Sequence, residues 1–176
     1  MKKKFIKKYK QSTVESCLAC CLLTLIGQKP TRAKEISMLF DALQYNPDDF
    51  VTGHIEHVMR KYKKELIRYV HNNPLYNHLK KARCKEKVVQ RKIDMNIIDE
   101  LLHRGTIAIS LNARHFGKVY HYPHWVLLLN KKRKKYVVYD PHTGIVNTIT
   151  EKRLKESIKS YLIRLWMAPQ IIAQNL

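Results

Sequence analysis

Apolar and polar positions change their period along this chain, and that change predicts its elements. In the N-terminal part the apolar residues recur at helical spacing. Leu18 to Ile26 is an almost unbroken apolar run that contains Cys20, Cys21 and Thr24 and stops at Gly27-Gln28-Lys29-Pro30. With Ser16 as N-cap it predicts a helix over Cys17 to Ile26. Thr31 caps a second helix, whose inward face is expected to carry Ile36, Leu39, Phe40 and Leu43. Asn46-Pro47-Asp48-Asp49 reads as a turn. A third helix follows from about Thr52 to Lys63, burying Ile55, Val58, Met59 and Tyr62. Ahead of all three, Phe5 to Tyr9 has the composition of a short strand.

Beyond this point the pattern shortens. Leu66 to Val70 reads as a strand closed by Asn72-Asn73-Pro74, while residues 75–90 are polar, basic and without a clear period, and no role is assigned to them. Ile97, Ile98, Leu101 and Leu102 mark a helix that ends at Gly105. Thr106 to Leu111, Trp125 to Leu129, Tyr136 to Tyr139 and Ile145 to Ile149 are β-branched or aromatic runs between turn residues. A helix over Glu151 to Ser160 and a last strand over Tyr161 to Met167 complete the reading. Helices packed on a C-terminal antiparallel sheet make an α+β domain.

Composition limits what this domain can be. At 176 residues with 45% hydrophobic content, residues 1–176 form one folded domain with a true core. The five Gly and six Pro leave little room for linkers or low-complexity tails. Lys2-Lys3-Lys4 imitates the start of a signal peptide, but the apolar run begins late and no small-residue cleavage site follows. That run is also far shorter than the ~20 residues needed to cross a bilayer. Three of the four cysteines crowd at Cys17, Cys20 and Cys21, with Cys84 apart, so a disulfide framework does not suit them. The expectation is a cytoplasmic protein without a transmembrane segment.

Charge changes the picture. The 34 Lys+Arg against 14 Asp+Glu give a formal net charge of +20. Nucleic acid, an anionic membrane or an acidic polypeptide would all be attracted. The basic clusters at Lys2 to Lys10, Arg60 to Lys64, Lys80 to Lys92 and Lys131 to Lys135 form no single stripe.

The candidate chemistry centres on Cys17. A thiol at a helix N-terminus faces unpaired N–H groups and the positive end of the helix dipole, which favour the nucleophilic thiolate. Cys20 and Cys21, further into the helix, read as small buried hydrophobes. A thiolate needs an acid/base partner and a group to orient that partner. Of the nine histidines, His54, His57, His71, His78 and His103 fall in helical or turn contexts and read as surface residues. His124 instead opens the apolar run Trp125 to Leu129, and Asp140-Pro141 ends the next one. A hairpin turning near Lys131 to Lys135 would bring the start of one strand beside the end of the other. Asp140 could then fix the His124 tautomer. Gln11, six residues before Cys17, could offer its amide beside the Cys17 backbone N–H as an oxyanion hole.

The segments Gln11-Ser-Thr-Val-Glu-Ser-Cys17, His124-Trp-Val-Leu and Tyr139-Asp140-Pro141-His-Thr-Gly144 together resemble the bacteriocin-processing, or double-glycine, cysteine peptidase family. The resemblance runs from about Gln11 to Asp140. It implies a papain-like fold with Cys17 as nucleophile, His124 as acid/base, Asp140 as orienter and Gln11 as oxyanion donor. Leu18 stands where that family usually has Gly, and the reading is of a stand-alone form rather than a domain of a peptide exporter. It further implies a peptide or protein substrate cut after small residues, with an exporter as a candidate partner; the basic surface would attract an acidic leader, and no cofactor is expected. Three rivals stand beside it. Cys17, Cys20, His54 and His57 are a zinc-compatible set. The basic residues could serve nucleic-acid binding, though no nucleic-acid motif accompanies them. The same triad could also run acyl transfer, transglutamination or deamidation.

Overall fold

The computed structural model describes residues 9–82, 86–116, 123–162 and 169–175. The expected strand over Phe5 to Tyr9 lies almost wholly outside them. Three helices come first: α1 (Cys17–Leu25), α2 (Arg32–Tyr45) and α3 (Phe50–Tyr62). Then follow β1 (Leu66–Val70), α4 (Asn73–Lys81), β2 (Lys87–Gln90) and α5 (Met95–Arg104). The remainder is β3 (Ile107–Asn112), β4 (Pro123–Lys132), β5 (Lys135–Asp140), β6 (Ile145–Thr150), α6 (Glu151–Leu162) and β7 (Gln170–Gln174). The strands form one seven-stranded sheet in the order β2-β1-β7-β3-β4-β5-β6.

The sheet is not purely antiparallel. β1 and β2 run parallel, joined by α4 as a crossover, while every other pair is antiparallel. A parallel pair needs such a crossover because a tight hairpin can only reverse the chain. Within the stretch 75–90 that showed no period, residues 75–81 belong to α4 and Lys87–Gln90 form β2. Asn72 caps α4 by accepting from Leu75 N, and only Leu79 of that helix is buried. One buried position gives no periodicity to read. The last strand also differs from expectation: Tyr161 and Leu162 continue α6, residues 163–168 lie outside the described residues, and the final strand is β7.

Side-chain alternation gives the sheet two apolar faces. Ile107, Ile109, Leu111, Val126, Leu128 and Val138 pack with Ile97, Ile98 and Leu101 of α5 and Leu154 and Ile158 of α6. Ala108, Trp125, Leu127 and Tyr139 face the other way, against α1, Met38 of α2 and Ile55 and Val58 of α3. α1 is apolar around nearly its whole circumference because it is surrounded; eight of its nine residues are buried.

α2 turns a different face inward than its apolar spacing suggests. Glu35, Met38 and Ala42 are buried, whereas Phe40 and Leu43 keep 70% and 54% of their surface exposed. Close packing on α3 decides this. A Cβ at Gly53 would fall 2.1 Å from the Ala42 carbonyl oxygen, so only small residues fit where the two helices cross. α3 itself starts two residues earlier than expected, because Asp49 Oδ1 accepts from Val51 N and Thr52 N. His54 and His57, expected at the surface, are buried on α3 with Nδ1 of each bonded, to Phe50 O and to Asp41 Oδ2, both at 2.7 Å.

Arg68, a basic residue within the apolar run Leu66 to Val70, is also buried. Its Nε donates to Gln170 Oε1 at 2.7 Å, and Nη1 lies 2.9 Å from Asp49 Oδ2, Thr52 Oγ1 and Glu86 Oε1. One guanidinium thus joins β1, the start of α3, β7 and the residue before β2.

Candidate active site

Cys17 is the first residue of α1, reached through one 3-10 turn over Val14–Ser16. Ser16 occupies the N-cap position, but its hydroxyl serves the loop: it accepts from Thr13 N and donates to Thr13 O at 2.9 Å. Seven residues of α1 behind Cys17 are buried, so the helix holds the thiol in place with little freedom. Burial pushes the thiols of Cys20 and Cys21 well above the ordinary range, with neighbouring charges adding to the effect: Glu35 then Cys17 for Cys20, and Cys17 then Cys20 for Cys21. Those two sulfurs are inert structural groups.

His124 and Asp140 meet as the hairpin demands. β4 and β5 are joined by a two-residue turn in which Arg133 takes a left-handed φ of 56°. Leu127 pairs with Tyr139, which places the beginning of β4 beside the end of β5. His124 Nε2 lies 2.7 Å from Asp140 Oδ1. The same oxygen accepts from His142 N at 2.9 Å, an Asx-type turn that fixes the carboxylate before the histidine reaches it. Gly144 N closes the turn onto Asp140 O at 2.8 Å.

The His124 ring is also within hydrogen-bonding reach of the Cys17 side chain. Burial by itself would lower the His124 pKa. The hydrogen bonds that the ring makes to Asp140 and Cys17, with the charges of both groups, outweigh it and raise the value to about 9. The charged form of the ring is therefore favoured by its contacts with Asp140 and Cys17.

Gln11 is tied to the same place by its backbone. Its N–H donates to Pro141 O at 2.8 Å, directly after the Asp140 turn. Gly144 makes that approach feasible: at φ 69° a Cβ would lie 3.0 Å from backbone atoms of Tyr9 and Lys10. The Gln11 side-chain amide, however, is engaged within its own loop. Nε2 donates to Thr13 O at 2.7 Å and Val14 O at 3.0 Å, while Oε1 is buried without a partner. The two carbonyls fix this orientation, since turning the amide over would point oxygen at oxygen.

Glu35, on α2, carries no signal in the sequence beyond that of an ordinary acid in a first helical turn. Its Oε2 accepts from both the N–H and the hydroxyl of Ser12 at 2.9 Å. The zinc-compatible set is not assembled: among the described residues no three of His, Cys, Asp and Glu are grouped to hold a metal ion. Among the described residues no helix is long and apolar enough to cross a membrane.

Comparison with known proteins agrees with this architecture. The chain resembles the crystal structure of a candidate C39-like peptidase from Bacillus anthracis, with a TM-score of 0.57 over 93% of this chain and 92% of that one. At 8% sequence identity this likeness establishes a shared papain-like fold. No curated protein matches the chain. Residues 45–159 match the family described as Peptidase_C39 like, a span that includes His124 and Asp140 and begins after Gln11 and Cys17. The chain belongs to the Peptidase_C39 like family.

Proposed function

We propose that this chain is a cysteine peptidase that removes a leader segment from a small peptide precursor, with Cys17, His124, Asp140 and Gln11 as its working residues. The observation that carries the proposal is the arrangement around His124: Asp140 at 2.7 Å on Nε2, and the Cys17 thiol within reach of the same ring. With Nε2 on the carboxylate, Nδ1 is the nitrogen left for the thiol. Proton transfer from Cys17 to Nδ1 gives a thiolate and imidazolium. The thiolate attacks the scissile carbonyl carbon, forming a C–S bond and an oxyanion. Collapse breaks the C–N bond, and the leaving amine takes its proton from Nδ1. Water then attacks the thioester, giving its proton to the ring, and cleavage of the C–S bond returns the thiol. The Cys17 backbone N–H and the Gln11 amide face the oxyanion, which requires Gln11 Nε2 to exchange one of its loop carbonyls for it.

An acidic leader suits a surface of this charge, and Lys63 and Lys64 beside the end of α3 are exposed candidates to meet it. The thiol chemistry is tested without knowing the substrate. Iodoacetamide labelling at neutral pH, read by peptide mass spectrometry, should modify Cys17 at least about tenfold faster than Cys84. His124→Ala should remove that advantage. Equal rates at the two cysteines, unchanged by His124→Ala, would sink the proposal.

A further inference from the structure

The loop between Gln11 and Cys17 has an anchor outside itself. Glu35 is fully buried in the first turn of α2, and its Oε2 holds both donors of Ser12, the residue that follows Gln11. The hydroxyl of Ser16, the residue that precedes Cys17, stands beside the same carboxylate, as does that of Tyr9. Burial would raise the Glu35 pKa, yet the Ser16, Tyr9 and Ser12 groups hold it below the usual carboxylate value. No cation bridges it among the described residues, and Oε1 is buried without a hydrogen-bond partner. A buried carboxylate without a counter-ion is a costly way to fill space. The start of a helix offsets part of that cost. Its two ends of contact fall next to the two groups that would make the oxyanion hole.

We infer that Glu35 is a positioning residue for the oxyanion hole, holding Ser12 so that the Gln11 amide and the Cys17 backbone N–H keep a fixed separation. The inference rests on the peptidase reading above. Gln11 is then held from both sides, by Pro141 O on its own N–H and by Glu35 through Ser12. Released from Glu35, the loop would keep its internal bonds from Gln11 Nε2 to Thr13 O and Val14 O but lose its fixed place over the site.

Two thiol reagents separate positioning from general damage. With p-nitrophenyl acetate, Cys17 Sγ bonds to the ester carbonyl carbon, the bond to p-nitrophenolate breaks, and the thiol proton passes to His124; an oxyanion forms on the way. Alkylation by iodoacetamide displaces iodide at a saturated carbon and forms none. Glu35→Ala should slow acylation about tenfold while leaving alkylation within about twofold. Glu35→Gln, whose amide oxygen can accept both Ser12 bonds, should restore most of the rate. In a Gln11→Ala background, Glu35→Ala should cost less than about twofold. Equal slowing of both reagents, or of neither, overturns the inference. If Glu35→Ala does not fold, Ser12→Ala should show the same split at about threefold, and its absence overturns the inference equally. A wild-type Cys17 that is not selectively alkylated defeats the peptidase reading itself; a selectively alkylated Cys17 indifferent to Glu35 defeats only the positioning role.

Discussion

His124 is held protonated beyond the range of a free imidazole, and this has a thermodynamic consequence. Burial works against the charged ring; Asp140 and Cys17 reverse that and bring its pKa to about 9, from an ordinary 6.5. A group whose folded pKa is raised contributes stability that is complete below its unfolded pKa and lost as pH rises through the folded one. The stabilising effect of His124 should therefore be full below pH 6.5 and decline towards pH 9, with a slope of at most ~1.4 kcal/mol per pH unit. Urea unfolding of wild type and His124→Gln across this range should show their stability gap closing; a constant gap would contradict it. Asp140→Asn removes the strongest support for the charged ring, so the ring titration followed by NMR should move to lower pH. The start of α1 at Cys17 and the meeting of His124 with Asp140 were legible because each residue sits at an element boundary marked in the sequence. Gln11 was legible by spacing, but its amide is bonded within the loop, a geometry that spacing does not encode. Glu35 was not legible, because its partner Ser12 lies 23 residues away and meets it only in the fold.

Two elements depend on contacts that periodicity cannot show. α2 and α3 approach until Gly53 leaves no room for a methyl group against the Ala42 backbone. Gly53→Ala would gain up to ~1 kcal/mol of helix propensity and lose ~1–3 kcal/mol to overpacking. With the obstacle being backbone at 2.1 Å, the packing loss should win, lowering the urea midpoint without changing the slope. The same crossing explains why the apolar run Ile36, Leu39, Phe40, Leu43 misled: the helix buries Glu35, Met38 and Ala42 instead, with Ala42 set against Gly53 of α3. Arg68 is the second case. Burial raises the Glu86 pKa despite the Arg68 contact, while at Asp49 the same guanidinium overcomes burial and lowers it. Removing Arg68 strands both carboxylates, so Arg68→Met should cost ~3–5 kcal/mol in urea unfolding. Adding Glu86→Leu should recover part of that loss; full additivity of the two costs would rule out a shared network. A basic residue inside an apolar strand reads as surface in sequence, and only the convergence of α3, β7 and Glu86 on it shows otherwise.

Over the whole molecule, the placement of acids and bases amplifies the formal charge. Glu35, Glu86 and Asp140 are buried, and Asp49 is committed to Arg68. Arg68 is the one buried Lys or Arg among the described residues. The surface therefore carries more positive charge than a net +20 suggests, since the acids withdrawn inside no longer offset the bases outside. Such a field speeds encounter with any polyanion, and salt screens it over ~10 Å at 0.1 M. What separates an acidic leader from nucleic acid is coupling to cleavage. For a precursor peptide with an acidic leader, kcat/KM should fall at least about tenfold between 50 and 500 mM salt, mainly through encounter. Replacing the leader acids with amides should lower the low-salt value and flatten the dependence. Duplex DNA should compete at low salt, and Cys17→Ala should bind both polyanions as wild type does, because the basic clusters that make this field are untouched. If the neutralised leader is cut with the same salt dependence as the acidic one, the basic surface is not reading the leader, and its field serves another polyanion.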